Sequence, residues 1–392
     1  MERQIMPGKG MAATTAYGGL ASELLAVLNE RIGAGLEVGM QVAAYHEGGL
    51  IVDVAAGTRS EEGDKVDGST LFQIFSVFKG VLAVAVHIQA ERRLLDIDGP
   101  IADYWPEFAR HGKSGITLRH VLTHSAGIPQ MPPEMNIAKL ADWSGMAAAI
   151  ADLAPIHAPG ERSYYHGMTY GWLLGEAVRR TDPQQRAIDI FIAEEISRPL
   201  SLDGLFMRMT DDLRPRLATL SGSPYPTDLP ADSPLMIGIP AAVALQPPIF
   251  NRADVQSSLV PAVSCFANAR SIGKVFAMLA EGGEIDGARL LSSTCIETLS
   301  EPRPNSDAPD PFLGGPARLS IGGFMLGGGK PAVGPHEDTL FSIGAGGSIA
   351  WADRRNRLAV AITHNRLYGH QPSVSDPQVR IGDIIRRHLD IV

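Results

Sequence analysis

Cysteine is nearly absent from this chain. Only Cys265 and Cys295 occur, without a second Cys or a His at ligand spacing. That excludes a disulfide framework and a thiolate zinc site, and leaves two idle thiols. Long apolar runs are missing too: none approaches the roughly 18 residues of a membrane helix, and the first ten residues carry no signal-peptide core. The expectation is a soluble, cytoplasmic protein with no membrane partner. Lysine is scarce: seven of the 34 basic residues are Lys, the Arg residues form no blocks, and the net charge is −9. Nucleic acid is therefore not an expected partner. A G-x-S-x-G elbow occurs nowhere, which argues against an α/β-hydrolase.

What is present is globular material. With 392 residues, 45% of them hydrophobic, the chain can fill two or three domains or one large two-part domain. After a small-residue leader over 1–17, apolar positions at Leu20, Leu24, Leu25, Leu28 and Ile32 predict a helix closed by Gly33 and Gly35. Alternating runs at 40–45 and 50–56, joined by Glu47-Gly48-Gly49, predict a hairpin. Residues 146–261 read as mostly helical, with 170–180 and 187–198 the clearest helices. Within them, 221–261 holds eight prolines and cannot be a long helix. It is either an ordered wall or lid over a site or a plain connector. Asn268 caps a helix to Ala280, strands are expected at 319–326, 339–343, 347–351 and 358–363, and an amphipathic helix over 379–389 follows. Strands at both ends with helices between them imply an insertion. The fold class is α+β: an antiparallel sheet domain from 18–72 and 262–392, flanked by terminal helices, and an inserted mostly helical subdomain over 73–261.

The chemistry concentrates where a strand-like segment turns into the buried helix running from Gly80 toward Leu95. Ser76 would open that helix, with Lys79 one turn on and on the same face, an S-x-x-K arrangement in which the amine can share a proton with the hydroxyl. A Ser at a helix start also has peptide N–H groups and the positive dipole end to stabilise an oxyanion. The bland alternative is a helix cap. A second Ser-x-x-Lys at Ser271 and Lys274 falls inside a helix and lacks those donors. His120 and His124 have zinc-compatible spacing, but no Glu follows His120 as in H-E-x-x-H; Asp96 and Asp98 read as turn caps. No metal and no cofactor is expected.

Several stretches together resemble the serine β-lactamase and penicillin-recognising superfamily, in its class C-like branch that includes the family VIII carboxylesterases. They are Phe75-Ser-Val-Phe-Lys79, Leu122-Thr-His-Ser-Ala-Gly-Ile-Pro129, Pro159-Gly-Glu-Arg-Ser-Tyr-Tyr165, the helix ending near Pro199 and Leu200, and Phe341-Ser-Ile-Gly-Ala-Gly-Gly-Ser348. The resemblance implies that Ser76 is acylated, that Lys79 is hydrogen-bonded to it, and that Tyr165, with Tyr164 as the competing choice, works with the lysine as general base. It also implies that 344–347 form an edge strand and that the backbone N–H groups of Ser76 and Ala345 form the oxyanion hole.

Two departures tilt the expected substrate. Where lactam hydrolases have Asn two residues after the tyrosine, this chain has Gly167, with His166 between, either shaping the pocket or assisting proton transfer. Where the third element begins with Lys or His, it has Ser342, followed by Ile343 and Gly344. Losing that cation removes an anchor for a substrate carboxylate. The implied function is a serine carboxylesterase, or an acyltransferase with an alcohol or amine acceptor, ahead of a β-lactamase, a D-amino peptidase or a silent binding module. The implied partner is a small-molecule ester or acyl donor, and apolar residues of 221–261 suggest a hydrophobic pocket.

Overall fold

The computed structural model describes residues 17–61, 63–222, 226, 228–328, 330–368 and 377–391; the leader over 1–16 and parts of the proline-rich segment lie outside them. The elements that frame the site are helix α1 (Gly18–Gly33), strands β1 (Gly39–His46) and β2 (Gly49–Gly57), helices α2 (Phe78–Glu91), α3 (Thr169–Thr181) and α4 (Ala269–Ala280), strands β3 (Met325–Leu326), β4 (Leu340–Ile343), β5 (Ile349–Asp353) and β6 (Leu358–His364), and helix α5 (Pro377–His388). Strands β1 to β6 make one sheet in the order β3-β4-β5-β6-β1-β2, every pairing antiparallel. Val42 faces Ile362 on one side and Val54 on the other.

Strand alternation sorts the sheet into two faces. One carries Met40, Val42, Ala44, Val360, Ile362 and Trp351 and packs on α1 and α5 through Leu24, Leu28, Ile381 and Ile385. The other carries Ala43, Tyr45, Ala350, Ala352, Ala359 and Ala361 and packs on α4 through Ile272, Val275 and Phe276. The alanines bring α4 close to the sheet: a Cβ on Gly273 would sit 3.3 Å from the Tyr45 ring and 3.4 Å from Ala361. Helices on both faces leave β6 buried along its whole length, so it reads as a continuous apolar run rather than an alternating one. The fold is β-lactamase-like, an antiparallel sheet flanked by the terminal helices. Residues 73–261 add no strand to this sheet among the described residues and are dominated by helices around α2 and α3. Helix α2 is buried from Phe78 to Gln89, which is why it carries apolar residues all round.

Several local expectations change. Ser76 does not open the α-helix; it lies in a tight 3₁₀ turn (Phe75–Val77) just before it, and α2 ends at Glu91, short of Leu95. The stretch expected as one strand over 319–326 doubles back on itself: Leu319 bridges Met325, only Met325–Leu326 joins the main sheet, and between them the chain turns, with the Ser320 hydroxyl accepting the Phe324 N–H. The glycine run 344–347 is not an edge strand. It is the turn from β4 to β5, closed by Gly344 N–H on Ser348 O (2.7 Å) and Gly347 N–H on Gly344 O (3.0 Å), and positive φ at Gly346 and Gly347 explains the glycines there. Helix 187–198 begins as α and continues as a π-turn over Ala193–Ser197. Among the described residues no helix is long and apolar enough to cross a membrane.

Candidate active site

The turn that carries Ser76 is strained. Phe75, a buried aromatic residue, has φ of 47°, a left-handed conformation that costs about 1–3 kcal/mol and persists only when its surroundings impose it. Those surroundings are Phe250, edge-on to the Phe75 ring at 5.6 Å, and a backbone bond from Ile74 N–H to Cys265 O (2.9 Å). The next residue, Ser76, lines the mouth of a cleft of about 270 Å³.

Lys79 sits beneath it. Its Nζ is 2.8 Å from Ser76 Oγ and 2.8 Å from Gly167 O, and lies 4.9 Å from the centre of the Tyr165 ring and 5.7 Å from that of Tyr170. No carboxylate pairs with it among the described residues. Burial therefore pushes the amine down to about 7, since desolvation penalises the charged form more than the two aromatic faces favour it. An amine in that range exists in both protonation states near neutrality and can take a proton from the hydroxyl that it touches.

Tyr165 lines the cleft and packs at a tilt against His124 (ring centres 4.4 Å) and Phe312 (5.4 Å). Tyr164, the competing choice, does not line it; its hydroxyl donates to Pro234 O (3.2 Å). Opposite, the β4–β5 turn rests on the Ser76 turn: a Cβ on Gly344 would lie 2.2 Å from Ile74 O, so only glycine permits this approach. Ile343, Gly344 and Ala345 all line the cleft beside Ser76.

Two expected site residues, Ser342 and His166, lie off the cleft wall, and a third, Gly167, lines it. Ser342 is buried and does not line the cleft; its Oγ faces α2, 3.0 Å from where a Gly80 Cβ would be. His166 is fully buried and also off the cleft wall. Its Nδ1–H donates to Tyr164 O (2.7 Å), its Nε2 accepts from Ile128 N–H (3.3 Å), and burial pushes it down to about 3, so both nitrogens are engaged by backbone and the ring is neutral. Gly167 does line the cleft, and Phe312 and Ile239 occupy the space of a side chain there: a Cβ would meet them at 3.3 and 3.4 Å.

The His120–His124 pair is split. His120 Nδ1 accepts the Thr117 N–H in a capping box on the short helix Leu118–Leu122, whereas His124 lies beyond that helix with φ of 55°. Ser271 and Lys274 also separate: Ser271 Oγ accepts from Gly204 N–H and Lys274 pairs with Asp286. Cys265 and Cys295 are free thiols, pushed up to about 12 by burial.

The rest of the lining comes from segments far apart in sequence, of which only the apolar part of 221–261 is expected at a pocket. Leu235, Ile239 and Leu245 reach it from the proline-rich segment, Phe312 and Leu313 from a loop, and Tyr368 and Gln378 from the C-terminal stretch. The residues described around the cleft include no Lys, Arg, Asp or Glu.

Against known proteins, the family model described as Beta-lactamase matches residues 28–381. Esterase/beta-lactamase LipL of Mycobacterium tuberculosis (strain ATCC 25618 / H37Rv) is 30% identical over 351 residues, covering 84% of this chain and 77% of its own. Among solved structures, a family VIII carboxylesterase superposes with a TM-score of 0.85 at 27% identity over 94% of this chain and 97% of its own. A penicillin-binding protein homologue from Caulobacter crescentus gives 0.84 at 26% identity over the same shares. Sequence and fold agree over nearly the whole length, and the chain belongs to the beta-lactamase family.

Proposed function

We propose that the protein is a serine hydrolase of neutral carboxylic esters, working through an acyl-Ser76 intermediate with Lys79 and Tyr165 as the proton-transfer pair. The observation that carries this reading is the buried Lys79 amine, held between Ser76 Oγ and Gly167 O at 2.8 Å each and shifted to about 7. In the first half-reaction Ser76 Oγ attacks the ester carbonyl carbon while its proton passes to neutral Lys79, directly or through the Tyr165 hydroxyl. The carbonyl oxygen becomes an oxyanion facing the Ser76 and Ala345 N–H groups. Collapse breaks the ester C–O bond, and the alcohol leaves with the proton the base took up. A water then attacks the acyl carbon, gives its proton to the same base and releases the acid, and Ser76 regains its proton.

The wall supports this substrate class. The described lining lacks charged side chains and is mostly apolar, so a neutral acyl or alcohol group desolvates there at little cost, whereas a carboxylate would be left without a partner. The same apolar wall favours an alcohol over water as acyl acceptor, which is why acyl transfer stands as the second reading.

The test is a spectrophotometric assay of wild type and Ser76→Ala on p-nitrophenyl butyrate and a chromogenic cephalosporin, with an alcohol acceptor in a parallel set. Ester hydrolysis abolished by Ser76→Ala is expected, with a cephalosporin rate well below the ester rate. Hydrolysis surviving Ser76→Ala would overturn the mechanism.

A further inference from the structure

The stretch from Thr123 to Ile128 is absorbed by none of the chemistry above, yet it runs alongside the segment that delivers Tyr165 and is bonded to it at every turn. Gly127 O accepts the Ile156 N–H (2.8 Å), Ser125 O accepts the Gly160 N–H (2.9 Å) and His124 O accepts the Tyr164 N–H (2.9 Å). Two histidines close the pairing reciprocally. His124 Nδ1 accepts the His166 N–H at 3.0 Å, and His166 Nε2 accepts the Ile128 N–H at 3.3 Å. The backbone on both sides of Tyr165 is thus tied to one residue, His124, through its carbonyl before the tyrosine and its imidazole after it.

The same imidazole lies against the tyrosine ring. Its centre is 4.4 Å from that of Tyr165 and 4.8 Å from that of Tyr170 on α3, so it is a spacer between the two rings nearest the Lys79 amine. The left-handed backbone at His124 turns the ring into this slot, and Gly127 is required three residues on, where a Cβ would lie 2.3 Å from His157 O. Burial, followed by the nearby His166, Lys79 and Arg303, keeps His124 well below its ordinary range. The ring stays neutral, and Nδ1 remains an acceptor.

We propose that His124 is a positioning residue for Tyr165: it sets both the backbone on which the tyrosine is mounted and the tilt of its ring over Lys79. The proposal rests on the reading of Tyr165 as a proton-transfer group, and it goes beyond that reading by assigning the device that aims it. His124 does not line the cleft, and Tyr165, the ring nearest to it, is the cleft residue through which it acts. Its loss lowers the rate of the chemical step and leaves the apolar cleft, and hence substrate binding, as it was.

Two substitutions separate the roles of the ring. His124→Phe keeps an aromatic spacer and removes the acceptor; His124→Asn keeps an acceptor close to the Nδ1 position and removes the stack. Each is made alone and in a Tyr165→Phe background, with steady-state kinetics on p-nitrophenyl butyrate and a thermal melt on every variant. The expected result is a fall in kcat of about tenfold or more for His124→Phe with KM within about twofold, and partial recovery in His124→Asn. In the Tyr165→Phe background either substitution should change kcat by less than about twofold, because the group being aimed is already gone. Equal losses in both backgrounds, or a change confined to KM, would overturn the proposal and leave His124 as a packing residue. Should His124→Phe not fold, His124→Asn carries the same comparison. A fully active Tyr165→Phe would instead bring down the reading of Tyr165 and the positioning role with it.

Discussion

Replacing Lys79 by Met should abolish ester hydrolysis and stabilise the fold, with a gain that shrinks as pH rises. The structure supplies the magnitude. Burial lowers the amine from 10.5 to about 7, and at about 1.4 kcal/mol per unit a fully protonated Lys79 costs the folded state roughly 5 kcal/mol. Between those two values the unfolded chain binds the proton that the folded chain releases. Wild-type stability therefore rises with pH across this window, the cost of the amine being about 5 kcal/mol near pH 6.5 and about 1–2 near pH 9.5. A volume-matched Met escapes that cost but leaves Ser76 Oγ and Gly167 O without their donor, a loss of about 1–2 kcal/mol. The net gain should be about 3 kcal/mol near pH 6.5 and about zero near pH 9.5. Urea unfolding of both proteins at several pH values measures it. A difference that stays constant within about 1 kcal/mol over that range would refute the claim that burial depresses Lys79.

The same shift predicts the rate profile: kcat/KM should fall about tenfold per unit below about pH 7 and level off above it, as neutral Lys79 is needed to accept the Ser76 proton. A flat profile down to pH 5.5 would show that another group is the base. Gly344→Ala should destabilise by about 1–3 kcal/mol, because its Cβ meets Ile74 O at 2.2 Å. Displacing the adjacent Ala345 N–H from the oxyanion should also lower kcat by about 100-fold or more; unchanged kinetics would remove that N–H from the oxyanion hole. Gly167→Asn should be destabilising through contact with Phe312, and a double-mutant cycle with Phe312→Ala should show a coupling of about 1 kcal/mol or more. Additive effects in chemical unfolding would mean that Phe312 is not what excludes a side chain there.

Legibility was greatest where local spacing carries the signal. The helix over Gly18–Gly33, the first hairpin and the last helix match their apolar patterns to within a residue or two, since each presents one face to a single neighbouring layer. Met325–Leu326 shows the limit: the stretch over 319–326 has strand composition throughout, but the Ser320 hydroxyl and Gly323 turn the chain within it, so that Leu319 bridges Met325 instead of continuing the same strand. The glycine run misled for a related reason, as positive φ at Gly346 and Gly347 makes a turn rather than a strand. His124 has zinc-compatible spacing with His120 but no accompanying Glu, and His166 is expected to shape the pocket or assist proton transfer. Both instead accept backbone N–H groups, which depends on what passes beside them.

The sequence by itself determined that Ser76 and Lys79 share one side of a chain segment, because three residues of helical backbone bring their side chains together whatever surrounds them. It also determined the terminal helices, the antiparallel strands and the lack of a membrane-length apolar run. Only the tertiary structure decided the surroundings on which the proposed chemistry of the pair depends. The shift of Lys79 comes from α2 being enclosed on all sides, the left-handed Phe75 from packing on Phe250, and the seat of Ala345 from a turn more than 260 residues further along the chain meeting Ile74. Burial, strain and close approach are sums over neighbours that are distant in sequence, and no local spacing encodes them.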